Sequence, residues 1–355
     1  MKKIISLICW LEVFFLWLCA SSSFVNAAHT HKLMAILGLL FPFSVVLILL
    51  TALVCLFVAR KQLLILALGL GSCYHALSDY FPINLGTSIP EDNYLKVMSY
   101  NTLSLGNYET DEAGEFVIAH YIGAENPHIA CLQEAGFRHE EDQNSLVATM
   151  KKYGYSYKWL QVGNSDIGVA SKFPIVKEEK VYESGGNGAA AFYLLPPGED
   201  TLLVINAHME SMHLSATDRD QYHTLVKNLT HADTIKGKKT ILSKIANAGV
   251  ERAQQADTLA QYIDRMAGKR IILTGDFNDT PISYAHHQVC SRLTDAFKTA
   301  GNGLGRSFNK DAIIVRIDNI FCSSHWIPQY TYIDNQVNYS DHYPIVSYLQ
   351  VNEKR

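Results

Sequence analysis

The sequence predicts an α/β protein preceded by an N-terminal helical region built for a membrane, and three observations carry that expectation. From Tyr94 onward, short runs rich in β-branched residues alternate with segments whose apolar residues recur at helical spacing. Before that point, three apolar stretches, at about residues 4–20, 35–59 and 63–79, dominate the chain. Several of the strand-like runs also end abruptly in a carboxylate, an amide or an imidazole. The expected organisation is a transmembrane region over 1–82, a linker over 83–93 and a catalytic domain over 94–355.

In the first region, Ile4 to Ala20 is broken only by Glu12, which is costly in an apolar segment unless it is paired or near an interface. Ala35 to Ala59 is uninterrupted and long enough to cross a hydrocarbon core of about 30 Å at about 1.5 Å per residue. The third stretch is short and glycine-containing, which suits either a tilted span or a re-entrant helix. Lys2 and Lys3 precede the first stretch, and Arg60 with Lys61 separates the second from the third. The positive-inside rule puts both pairs on the cytoplasmic face, so three crossings place the remainder of a multi-pass cell-membrane protein on the extracytoplasmic side. A competing reading takes residues 1–27 as a signal peptide with Val25-Asn26-Ala27 as the cleavage site, and leads to the same side.

In the second region, Tyr94 to Asn101 alternates as a half-buried strand does, while Ile129-Ala130-Cys131-Leu132, Leu202 to Ile205 and Arg270 to Leu273 read as buried strands. Ala253 to Ile263 has helical spacing immediately before the Arg270 strand. About 260 residues suit one two-sheet core. Asn101, Glu134, Asp276 and Asp341 stand where such strands end, and burying each without partners would cost several kcal/mol. One shared mouth containing a cation and water would satisfy them together. Individually, Asp276 and Asn278 in Gly-Asp-Phe-Asn-Asp also suit an Asx turn, Asn101 a turn, and His208 and His342 structural hydrogen bonding. Asp318, inside Val315 to Phe321, would be expensive unless paired.

The composition excludes other chemistries. There is no zinc-finger cysteine pairing, no His-Glu-x-x-His, no Walker loop and no Gly-x-Ser-x-Gly elbow. Gly185-Gly186-Asn187-Gly188 reads as a turn, and Ser171-Lys172-Phe173-Pro174 as a strand exit. Four of the seven cysteines, Cys9, Cys19, Cys55 and Cys73, lie in the apolar stretches, leaving Cys131, Cys290 and Cys322 with no disulfide framework. A formal net charge of −4 speaks against an overall nucleic-acid-binding surface without excluding a local patch. Lys236, Lys238, Lys239 and Lys244 form either a solvated face or a patch for polyanions or lipid headgroups.

In order along the chain, Met98-Ser99-Tyr100-Asn101, Leu132-Gln133-Glu134, Ser171 to Ile175, Asn206-Ala207-His208, Gly275-Asp276-Phe277-Asn278, Arg316-Ile317-Asp318 and Ser340-Asp341-His342-Tyr343-Pro344 resemble the endonuclease/exonuclease/phosphatase family, here in a membrane-anchored, bacterial-type form. Asn319 departs from the aromatic residue the family usually carries there, a change expected to alter packing behind the site. The helical segment before Gly275 is longer than in compact members.

The resemblance implies a four-layer α/β sandwich of two packed mixed sheets with outer helices, and hydrolysis of a phosphoester, most readily as a nuclease (endonuclease or exonuclease) or general phosphodiesterase. A hard divalent cation, Mg²⁺ or alternatively Mn²⁺, would sit on Glu134 with Asn101 and Asp341 assisting. Asp276 would deprotonate the attacking water, Asn278 would hold a phosphate oxygen, and His342, oriented by Asp318, would stabilise the transition state with His208 as second donor. The expected partners are the substrate, nucleic acid or phospholipid, and the bilayer, with no obligate protein partner inferred. Rival readings are a sphingomyelinase-type lipid phosphodiesterase, an inositol-phosphate-type phosphatase and a non-catalytic membrane module.

Overall fold

A computed structural model describes residues 2–212, 233–310 and 314–353, with the side chains of 233–240 outside the description. The chain divides into two compact units. One comprises residues 1–80, 211–254 and 279–287; the other comprises 81–210, 255–278 and 288–355.

The first unit contains α1 (Lys2–Ser21), α2 (Met34–Val58), α3 (Leu63–Ser72) and α4 (Tyr74–Tyr80). The first two helices are long and apolar enough to cross a membrane, while α3 and α4 are bent by 65° at Cys73, so the third apolar stretch is a broken helix. Apolar side chains such as Phe57 (82% exposed), Leu64 and Phe14 point away from the protein. Polar groups pair between helices instead. Thr51 Oγ1 donates to Glu12 Oε1 at 2.7 Å, which gives one oxygen of the costly carboxylate a partner, and Trp17 Nε1 donates to Ser72 Oγ at 2.7 Å. At Gly69 an added Cβ would lie 2.5 Å from Val13 Cγ2, the close approach that small residues permit between apolar helices. Residues 211–254 and 279–287 join this unit because Lys32 Nζ donates to Asn247 Oδ1 at 3.2 Å and Gly38 lies directly against the Ile282 carbonyl.

The second unit carries the strands. In chain order the elements are β1 (Tyr94–Asn101), α5 (Val117–Glu125), β2 (Ile129–Gln133), α6 (Glu140–Lys152), β3 (Ser156–Val162), β4 (Ser165–Ser171), β5 (Ile175–Ser184), β6 (Asn187–Leu194), β7 (Leu202–His208), α7 (Asp233–Arg265, divided between the units), β8 (Arg270–Asp276), α8 (Tyr284–Cys290, also divided), β9 (Thr294–Asp295), α9 (Ala296–Ala300), β10 (Asp318–Cys322), β11 (Trp326–Ile333) and β12 (Ile345–Val351). One sheet has the order β11-β12-β1-β2-β4-β3 and the other β5-β6-β7-β8-β10-β9. Each contains a single parallel pair, β1 with β2 and β7 with β8, flanked by antiparallel neighbours.

Strand alternation sorts the side chains into layers. Leu95, Val97, Ile129, Cys131, Ile167 and Val169 of one sheet meet Phe192, Leu202, Val204, Ile272 and Ile320 of the other in the central core. The opposite face, with Met98, Tyr100, Ala130, Leu132 and Val346, is covered by Ile118, Ile122, Leu146 and Met150 of α5 and α6. On the outer side of the second sheet, the last turns of α7 lie against β5 and β6, where Tyr262 Oη donates to Glu179 Oε1 at 2.7 Å. Helix, sheet, sheet and helix therefore form the expected four layers.

Gly185 and Gly186 form the two-residue turn between β5 and β6, with Gly185 at φ +63°. Ser171 Oγ accepts from Phe173 N at 2.9 Å where β4 ends. Residues 82–84 are fastened to the second unit, since Asn84 Nδ2 donates to the carbonyls of Lys298 and Gly301. Gly275 is required where β7 and β8 approach, because a Cβ there would lie 1.9 Å from Ala207 O. Gly275→Ala is expected to destabilise the chain by about 3 kcal/mol, read as a lowered midpoint in thermal unfolding.

Candidate active site

The inner-face alternation that builds the core continues to the end of the sheets, where the residue type changes. Beyond Leu95 and Val97 on β1 come Ser99 and Asn101; beyond Val204 on β7 come Asn206 and His208; beyond Ile272 on β8 come Thr274 and Asp276. The lower polar positions close the core. Gln133 Nε2 donates to Ser99 Oγ at 3.1 Å and across the sheets to Asn206 Oδ1 at 2.6 Å. Asn206 Nδ2 in turn donates to the carbonyls of Leu132 and Gly168, both at 3.0 Å. Asn206 therefore clasps the two sheets beneath the site.

The upper positions converge. Parallel pairing sets His208 beside Asp276, and antiparallel pairing sets Asp318 of β10 opposite Asp276. Asn101 Nδ2 donates to Glu134 Oε1 at 2.9 Å and to Asp276 Oδ2 at 3.0 Å, holding two carboxylates on either side of one amide. Asn101 Oδ1 accepts from Leu103 N at 3.1 Å. Glu134, at φ +52°, keeps about a third of its side chain exposed, with Oε1 3.5 Å from His208 Nε2. Asn278, at φ +50°, donates its backbone N–H to Asp276 Oδ1 at 2.8 Å and its side-chain amide to Met209 O at 3.0 Å. His342 Nδ1 lies 2.8 Å from Asp318 Oδ2, and its Nε2 lies 3.7 Å from Asp276 Oδ2.

The electrostatics follow from burial and proximity. Desolvation raises the pKa of Asp276, which is 1% exposed; the His342 charge opposes that rise and Asp318 adds to it. Burial by itself would lower the His342 pKa, but Asp318, Asp276 and Asp341 outweigh it and push the imidazole up to about 10. The His342 ring is therefore cationic at neutral pH.

Seven of the eight residues expected at the site are linked by these contacts. Asp341 is half-buried and acts on His342 through its charge, while its carboxylate makes no hydrogen bond among the described residues. Its backbone carbonyl accepts from Asn309 N at 2.9 Å. Asn319 has a physical role: Arg316 Nη1 donates to Asn319 Oδ1 at 2.5 Å and Nη2 to Asp295 Oδ2 at 2.9 Å, so a buried ion pair occupies the space behind Asp318. Lys236, Lys238 and Lys239 have side chains outside the described residues, as does the part of the 212–250 insert that covers 213–232.

Sequence reasoning missed several supporting hydroxyls. Ser307 Oγ accepts from the N–H groups of Ile317 and Asp318 at 3.0 and 3.1 Å, Ser340 Oγ donates to Asn101 O at 2.7 Å, and Ser165 Oγ lies 3.2 Å from His208 Nδ1. Ser340 stood inside a recognised motif, but Ser165 is the first residue of β4 and Ser307 comes from a loop, and neither position carries a sequence signal. Glu210, two residues past His208 and 7% exposed, was also passed over.

The donor set suits a hard divalent cation. Glu134, Asp276 and Asp318 bring three carboxylates to one mouth, against the single charge on His342, and Asp341 adds its charge to the surroundings of that ring. Among the described residues, His208 Nε2 and Asp318 Oδ1 are buried there without hydrogen-bond partners, which marks the mouth as built for something more than its own side chains. Asp276, Asp318 and His342 also bring ligand atoms within 4.8 Å of one another. A protonated imidazole has no lone pair to give, so the oxygen-lined Glu134 side suits the cation better.

The model of the Endonuclease/Exonuclease/phosphatase family matches residues 98–342. Residues 2–80 match a second family, a domain of unknown function. A search of curated proteins returns no match. Among solved structures, the human Nocturnin catalytic domain with bound sulfate aligns with a TM-score of 0.51 and 15% identity, covering 75% of this chain and 96% of its own. A family protein from Bacteroides thetaiotaomicron gives 0.50 and 17%, covering 73% and 98%. The mannosyl-6-phosphatase of the same organism gives 0.50 and 18%, covering 72% and 99%. These identities speak to fold alone, whereas the family model spans more than half the chain and ends at His342. The chain belongs to the endonuclease/exonuclease/phosphatase family of metal-dependent phosphoester hydrolases.

Proposed function

We propose that this protein is a membrane-anchored, Mg²⁺-dependent phosphodiesterase acting on nucleic acid. The observation that carries the reading is the pairing of a buried carboxylate, Asp276, with a cationic imidazole, His342, beside a separate, partly exposed carboxylate, Glu134. When bound, the divalent ion supplies Lewis-acid stabilisation of charge developing at the phosphoryl group and the leaving oxygen. Glu134 leads the oxygen donors that would hold it, Asn101 fixes that carboxylate, and Asp341 adds negative charge.

The other side chains divide the remaining work. Asp276 orients a water and takes its proton; its raised pKa makes it a stronger acceptor than an ordinary carboxylate. Asn278 and Asn101 hold Asp276 in place through the bonds to its two oxygens. His342 donates from Nε2 to a phosphate oxygen while Asp318 fixes the ring through Nδ1. His208 Nε2, without a hydrogen bond among the described residues, meets a second oxygen or the leaving group.

The full chain in detergent, offered DNA, RNA, bis(4-nitrophenyl) phosphate, inositol phosphates and sphingomyelin with Mg²⁺, Mn²⁺, Ca²⁺ or EDTA, is expected to cleave nucleic acid and the nitrophenyl diester with Mg²⁺ and to lose that turnover in EDTA. Failure on every substrate would overturn the reading. Preference for sphingomyelin would favour a lipid phosphodiesterase, which the two long apolar helices support by keeping the chain at a bilayer. Lys2, Lys3, Arg60 and Lys61 support an orientation with those ends cytoplasmic and the catalytic unit outside.

A further inference from the structure

Two segments that leave the site are joined at a point with no role in the chemistry above. After Asn101 the chain enters a left-handed turn in which Leu103, Ser104, Leu105, Gly106, Asn107 and Tyr108 have φ between +45° and +71°. Only Gly106 adopts that conformation without strain, and side-chain-bearing residues are held in it only where the surroundings over-determine it. The surroundings are Glu134 itself: Ser104 N and Thr102 Oγ1 both donate to the Glu134 carbonyl, at 2.9 and 3.1 Å. The turn ends at Tyr108, and the guanidinium of Arg138, four residues past Glu134, lies over the Tyr108 ring at 3.8 Å from its centroid.

Arg138 is exposed, and among the described residues no carboxylate pairs with its guanidinium. Its backbone is pinned, because the N–H groups of Arg138 and His139 both donate to Asp142 Oδ2, at 3.0 and 3.1 Å. Phe137 beside it packs edge-on against Trp159 at 5.5 Å. A guanidinium stacked on an aromatic ring has one face covered and its N–H edge presented, which is the geometry for bidentate capture of a phosphate.

We propose that Arg138, supported by Tyr108, is a second phosphate subsite that receives a phosphate of the substrate other than the scissile one. It rests on the phosphodiesterase reading and deepens it: the preferred substrate carries a flanking phosphate, as a polynucleotide does. The strained turn sets Tyr108 under the guanidinium, so the arm is preorganised against the same backbone that positions Glu134.

The test compares binding of thymidine 3′,5′-bisphosphate and thymidine 5′-monophosphate to the full chain in detergent with Ca²⁺, by calorimetry. The wild type is expected to bind the bisphosphate about tenfold more tightly, as a charge-assisted bidentate contact supplies. In Arg138→Met that ratio falls to about one; Arg138→Lys keeps an intermediate ratio, since an ammonium retains charge and loses the fork. Tyr108→Ala lowers the ratio in the same direction. A wild-type ratio near one, or an Arg138→Met ratio equal to wild type with unchanged melting, would overturn the subsite. Because the readout is affinity, it stands apart from the turnover assay: absence of turnover on every substrate with a tenfold ratio would refute the phosphodiesterase and keep the anion subsite.

Discussion

Asp276→Asn is expected to lower kcat by about 10³ to 10⁴ while the protein still folds. The carboxylate is 1% exposed and accepts from Asn278 N, Asn101 Nδ2 and Asn278 Nδ2, so it is already held in one orientation. Asparagine has the same shape and loses the ability to take a proton. Its amide must place an NH₂ near one of those donors, which costs about 1–2 kcal/mol and lowers the melting midpoint by a few degrees. Turnover under saturating substrate and a thermal melt together check the result. A folded Asp276→Asn variant with more than a tenth of wild-type kcat would remove Asp276 from the role of base.

His342→Gln is the second large effect, a loss of about 10² to 10³ in kcat. The imidazole is cationic because Asp318 and Asp276 hold it so, and glutamine supplies an N–H without the charge. Since Asp318 Oδ2 accepts from Nδ1 at 2.8 Å, the two side chains act as one device. Asp318→Asn should therefore reproduce most of the same loss, and the double variant should be little worse than His342→Gln alone. Additive losses, with the double variant slower than either by the product of the single effects, would show that Asp318 and His342 work independently.

Much of the site was legible because its residues occupy successive inner-face positions of strands, where a switch from β-branched to polar side chains is visible in the sequence. Asn101, His208, Asp276 and Asp318 all follow that rule. Asn206 follows it too, yet the structure gives it the work of clasping the sheets from below, a distinction that depends on one further inner-face position of depth along the strand. Ser307 escaped notice because a hydroxyl reaching in from a loop has no periodicity to betray it, and Ser165 because it opens β4 at a tight turn where a serine is unremarkable. The departure at Asn319 was visible, but its cause lies in Arg316 and Asp295, which are 21 residues apart and meet only in the folded chain.

The N-terminal apolar part was legible in length and apolarity and less so in shape. Glu12 stood out as a cost, and its partner Thr51 lies 39 residues away on another helix. The break at Cys73 has no proline to announce it. The assignment of residues 211–254 and 279–287 to the first unit depends on contacts such as Gly38 with the Ile282 carbonyl, which no local pattern encodes. The left-handed turn after Asn101 was equally hidden, since Leu103 and Leu105 are residues that ordinarily avoid positive φ.

Metal titration of turnover compares the wild type with Glu134→Gln most directly. The full chain, stripped with EDTA and given back Mg²⁺ in steps against bis(4-nitrophenyl) phosphate, should be inactive without metal and recover as Mg²⁺ is restored. Glu134→Gln should need about 10- to 100-fold more Mg²⁺ for half-maximal rate, having lost the carboxylate that leads the donor set. Turnover that survives thorough chelation, or a Glu134→Gln variant with the wild-type Mg²⁺ midpoint, would contradict a cation site built on Glu134.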